Sequence, residues 1–141
     1  MLIMKRREAF QRIILAGGTV LFLPAAILSC SENGDGGPID STNGLTVDMS
    51  NPNYATLLNA GGFIILSGVI IANTDGNTWV ALSSTCTHNG CTIGYNATQN
   101  NFPCPCHGSV FNANGSVANG PATQPLKQYT VTREGSILTI K

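Results

Sequence analysis

Cys104, Cys106 and His107 stand within four consecutive positions of CPCHGSVF, residues 104–111. Thiols and an imidazole packed so densely are ligand chemistry, because a thiolate and a neutral imidazole both offer lone pairs to a transition metal. A second set precedes it in CTHNGC, residues 86–91. Cys86 and His88 are two apart, which in extended chain turns both side chains the same way. Cys104 and His107 are three apart, a spacing that suits a tight turn around a metal. Each segment offers one cysteine and one histidine, and each leaves one cysteine over, Cys91 and Cys106. The chain holds no histidine outside these segments.

Three chemistries compete for this inventory. The first is an iron–sulfur centre with mixed sulfur and nitrogen ligation. The second is a structural zinc site, for which Cys2His2 is a common set. The third is a plain disulfide framework in an exported domain. Zinc fits the ligand count, but its usual spacings pair Cys with Cys and His with His, whereas here each loop supplies one of each. A disulfide framework explains neither the placing of both histidines beside cysteines nor their absence elsewhere.

The elements that must position these residues read as strands. The 141-residue chain has room for one domain with a modest core. Its 16 glycines and lack of helical periodicity favour strands and turns. With 10% charged residues and no net charge it has no basic face for nucleic acid. LTVDM, from Leu45, alternates as a strand does. Residues 63–84 read as one hairpin: FIILSGVIIAN, a turn at TDGN, then TWVALSS. Residues 128–141 read as another, with its turn at Glu134–Gly135. Tyr54 to Asn59 forms a short strand or a helical turn. The class is all-β, a small antiparallel sandwich or barrel. Between the hairpins, residues 85–122 form a loop-rich insert with weak strand signals, and it holds four of the five cysteines.

The N-terminal region differs in kind. Lys5, Arg6, Arg7 and Arg12 precede the apolar run Ile13 to Leu28, which is shorter than the roughly 20 residues a spanning helix needs. Basic residues before a short apolar run read as an export signal, residues 1–29. RREAF resembles a twin-arginine signal, with the phenylalanine one place late. ILSC, residues 27–30, resembles a bacterial lipobox, which makes Cys30 the expected lipidated residue. Residues 30–44 then form a linker rich in Gly, Ser, Asn and Asp, a flexible tether with a mean span of about 20 Å. From Cys30 onward three basic residues stand against six acidic ones.

The two cysteine–histidine segments, C-x-H-x-G-C and C-x-C-H-G-S, resemble the paired signature of Rieske iron–sulfur proteins. GPA at 120–122 resembles that family's proline-containing loop. The resemblance covers residues 45–141. It implies a [2Fe–2S] cofactor, with Cys86 and Cys104 on one iron and His88 and His107 on the other. It implies a disulfide between Cys91 and Cys106, a Ser109 hydroxyl donated to a bridging sulfide, and Gly120 and Pro121 lying beside the cluster. It also implies that the exposed imidazoles can lose protons on oxidation. Two positions depart from the pattern. Phe111 stands where high-potential members have a tyrosine, and Asn89 where quinol-docking members have leucine. The expected function is one-electron transfer in an exported, lipid-anchored protein with a cytochrome or larger oxidoreductase as partner. The alternative is the electron-transfer subunit of a larger enzyme, similar to arsenite oxidase or a quinol–cytochrome oxidoreductase. A zinc-stabilised binding module is the rival outside electron transfer.

Overall fold

The computed structural model describes residues 44–141. The export signal, Cys30 and most of the linker lie outside the described residues. The elements run β1 (Leu45–Asp48), a 3-10 helix (Ala55–Leu58), β2 (Phe63–Leu66), β3 (Val69–Asn73), β4 (Trp79–Ser83), β5 (Asn101–Pro103), β6 (Val110–Asn112), β7 (Val117–Asn119), β8 (Gln128–Tyr129), β9 (Val131–Glu134) and β10 (Ile137–Ile140). They pair into three antiparallel sheets, in the orders β1-β10-β9, β2-β3-β4-β8 and β5-β6-β7. The expected all-β class is what the chain forms. Among the described residues no helix is long and apolar enough to cross a membrane.

The apolar run at 63–73 is two strands rather than the single strand its composition predicts. Leu66 pairs with Val69, which leaves Ser67 and Gly68 as a two-residue loop with φ of 49° and 78°. Positive φ at both central residues gives the primed turn whose twist matches that of the strands it joins. The expected turn at 74–77 is present. Asp75 Oδ1 accepts the N–H groups of Asn77 and Thr78 at 2.8 and 2.7 Å, and Gly76 takes a φ of 99°. The strand expected from Gln128 also divides. Tyr129 pairs with Ala81 of β4, whereas Val131 pairs with Ile140 of β10. Thr130 exchanges both backbone hydrogen bonds with Lys141, at 2.7 and 2.9 Å, where the chain crosses from one sheet to the next. The closing turn centres on Gly135 and Ser136, one residue beyond its expected place, because Glu134 is already paired with Ile137.

β3 is buried along its whole length. Its alternate side chains serve two cores, as the two-residue period of a strand requires. Val69 and Ile71 pack with Leu45, Val47, Leu138 and Ile140. Ile70 and Ala72 pack with Leu82, Phe102, Phe111, Cys86 and Cys104. The strand is thus the wall between a base built on β1, β9 and β10 and a second core under the cysteine-bearing loops. The insert is more ordered than its composition suggests, since β5–β7 lie within it. Phe102 faces Phe111 across β5 and β6, and Tyr95 lies against Phe102 with ring centroids 4.9 Å apart.

Candidate metal centre

Two turns of the same form carry the candidate ligand residues. In the first, Cys86 N–H donates to the carbonyl of Cys91 at 2.8 Å, and Gly90 N–H donates to the carbonyl of Cys86 at 2.9 Å. In the second, Cys104 N–H donates to Ser109 at 2.7 Å, and Gly108 N–H donates to Cys104 at 3.1 Å. Each turn begins at a buried cysteine, closes four residues later on a glycine of positive φ, and accepts that cysteine's N–H at the carbonyl of the fifth. The β4 end and a bridge between Thr85 and Thr92 hold the first turn. β5 and β6, paired between Pro103 and Val110, hold the second.

The turns face one another. The Cys86 and Cys104 thiols lie in one buried layer, each 2% exposed, while His88 and His107 are exposed above them with ring centroids 4.9 Å apart. Cys91 and Cys106 form the disulfide expected from the resemblance, with S–S 2.10 Å and Cα–Cα 6.5 Å. Its sulfurs and that of Cys104 lie within 4.8 Å of one another. The disulfide sulfurs are not free thiolates, so among the described residues the candidate donors in the two turns are Cys86, Cys104, His88 and His107.

Burial opposes ionisation of Cys86. The N–H of His88, the Cys104 thiol, the N–H of Asn89 and the Ser109 hydroxyl outweigh it, and the Cys86 thiol sits below its ordinary pKa. Donors converging on a buried sulfur fit a thiolate ligand that must carry negative charge in an apolar layer. Ser109 is fully buried, and its Oγ accepts the N–H of Ala122 at 2.9 Å. That bond leaves the hydroxyl proton free to donate, and the Ser109 side chain is among the groups that lower the Cys86 pKa. Phe111 is fully buried against the core that includes both cysteines. Gly120 and Pro121 are exposed and lead into the buried Ala122. Asn89 is exposed between His88 and Gly90.

Two contacts had no signal in the sequence. Thr87 Oγ1 donates to the carbonyl of Gln124 at 2.7 Å, tying the first turn to the proline-containing loop. Asn119 Nδ2 donates to the carbonyl of Gly108 on the second turn, at 3.1 Å. Both acceptors are backbone carbonyls, which no residue type marks.

The model of the Rieske [2Fe-2S] domain family matches residues 51–130, and this chain belongs to that family. Its cofactor is a [2Fe–2S] cluster, and two buried thiols with two exposed imidazoles are a donor set that fits it. The chain is 29% identical over 133 residues to the cytochrome b6-f complex iron-sulfur subunit 2 of a Synechocystis strain, covering 88% of this chain and 74% of that one. It is 31% identical over 112 residues to the corresponding subunit 1 of a Nostoc strain, covering 74% of this chain and 60% of that one. The ferredoxin of carbazole 1,9a-dioxygenase from Nocardioides aromaticivorans shares the fold alone, with a TM-score of 0.51 at 23% identity over 59% of this chain and 86% of that one.

Proposed function

We propose that this chain is a one-electron carrier whose cluster is held on one iron by Cys86 and Cys104 and on the other by His88 and His107. The observation that carries the assignment is the convergence of two like turns, which puts two thiols in the buried layer and two imidazoles at the surface above it. The cluster, when bound, takes up and releases a single electron. The protein sets how readily it does so. Two neutral imidazoles in place of two thiolates remove negative charge, so the reduced form is less disfavoured than in an all-cysteine centre. The donors aimed at Cys86 act in the same direction. Burial of the thiolates keeps water from the inner side, and the exposed histidine edges are the face open to a redox partner.

The kinship with cytochrome b6-f subunits supports a cytochrome-containing membrane complex as one partner. Asn89, polar and exposed directly after His88, favours protein-to-protein transfer over docking of an apolar quinol. In this reading the protein is exported and Cys30 carries the lipid that holds it at the membrane. Several acyl chains, at about 0.8 kcal/mol per buried methylene, anchor firmly where a single one does not. Cys30→Ser should therefore release the protein into the aqueous fraction. A potentiometric titration followed by visible absorbance tests the electron-transfer role. A one-electron transition within roughly −150 to +300 mV supports it, and one near about −400 mV, or none, contradicts it.

A further inference from the structure

We infer that Asn119 is a positioning residue for the cluster's reduction potential, acting through Ser109. The inference rests on the cluster reading above and concerns a residue outside both ligand motifs. Asn119 is the last residue of β7, directly opposite Val110 of β6. Its Nδ2 donates to two carbonyls at 3.1 Å each, that of Gly108 and that of Gly120. Both partners can only accept, so the amide nitrogen must be the atom facing them.

These partners stand one and two residues before the two ends of a second contact. Gly108 precedes Ser109, and Gly120 lies two residues before Ala122, whose N–H donates to Ser109 Oγ at 2.9 Å. One exposed side chain therefore fixes the second ligand turn and the proline-containing loop in register. That register lets the Ala122 N–H occupy a Ser109 lone pair, so that the hydroxyl proton is left for sulfur. Ser109 is fully buried and directly closes the second turn, its carbonyl accepting the Cys104 N–H at 2.7 Å. A donor to a ligand sulfur stabilises the more negative, reduced centre and raises its potential. Asn119 is exposed and bonds to two backbone carbonyls, so its influence runs through the placement of the Ser109 hydroxyl.

The test is a double-mutant cycle in the cluster-loaded full chain with Asn119→Ala, Asn119→Leu, Ser109→Ala and the combined Asn119→Ala/Ser109→Ala. Midpoint potential and the exchange rate of the Ala122 amide are read. The expected result is a lowered midpoint in both Asn119 variants, smaller than the drop in Ser109→Ala, with faster Ala122 exchange. In the Ser109→Ala background the Asn119→Ala shift should be lost. An unchanged midpoint in Asn119→Ala overturns the inference, as does an equal shift in both backgrounds or unchanged Ala122 exchange. Failure of the cluster reading itself is separate: the unsubstituted protein would then show no reducible iron–sulfur signal.

Discussion

Gly90 and Gly108 occupy the same place in two turns of the same form. Each is the fourth residue after a buried ligand cysteine, each donates its N–H to that cysteine's carbonyl, and their φ values are 75° and 76°. A Cβ at either position would meet nothing within 4 Å. Their requirement is thus conformational and not steric. Gly108→Ala should destabilise the protein by about 1–2 kcal/mol, the cost of left-handed backbone for an L-residue. Gly108→Asn should cost less, because asparagine tolerates that region. Denaturant unfolding of the two variants decides it, and equal losses would contradict the argument.

Phe111→Tyr should raise the midpoint potential. Phe111 is fully buried in the core shared with Cys86 and Cys104, and the expectation is that an added hydroxyl donates to one of those sulfurs. One hydrogen bond to a charged group is about 1.5–3 kcal/mol at most, and about 59 mV corresponds to tenfold for one electron, so the rise is on the order of tens of millivolts. Protein-film voltammetry measures it. No change, or a fall, would show that the hydroxyl does not reach sulfur.

The Cys91–Cys106 disulfide closes a loop with a sequence separation of 15. Loop-closure entropy assigns such a crosslink about 3 kcal/mol. Cys91→Ser/Cys106→Ser should lose stability on that scale and release iron at lower temperature, since the covalent link between the two turns is then gone and the cluster must be held by its ligands, packing and hydrogen bonds alone. Loss of visible absorbance on warming reports the release. A variant that keeps its cluster to the parent's temperature would remove the disulfide from this role.

Asp75 carries a pH dependence of known sign. Hydrogen bonds from the Asn77 N–H, the Thr78 hydroxyl and the Thr78 N–H lower its pKa. A group with a depressed folded-state pKa stabilises the fold above its unfolded value, about 3.9 for aspartate, and that contribution is lost as pH falls through the folded value. Asp75→Asn should therefore be less stable than the parent at neutral pH, and the gap should close in acid below about pH 4. Thermal unfolding across pH shows whether the two curves converge.

The candidate ligand set was legible because thiols and imidazoles are scarce and chemically specific, and the chain places both histidines and four of five cysteines in two short segments. The disulfide and the roles of the two irons came from the family resemblance and not from spacing. The common form of the turns was harder to see. His88 is the second residue after its cysteine and His107 the third, so the side chains differ while the backbone repeats. β3 was visible as an apolar run, but its end at Ser67–Gly68 needed the pairing of Leu66 with Val69. β5–β7 were obscured because asparagine, proline and glycine crowd the insert, and their pairing is decided by Phe102 and Phe111 meeting in the core. The sheet crossing at Thr130 rests on backbone bonds to Lys141, which a local reading of strand propensity does not see.

The central claim is that His88 and His107 ligate one iron of the cluster. Pulsed EPR of the dithionite-reduced protein tests it most directly. The prediction is a rhombic signal with nitrogen couplings from two imidazoles, one of which disappears in His88→Cys and the other in His107→Cys. A reduced cluster without nitrogen couplings, or a colourless protein holding zinc, would contradict it.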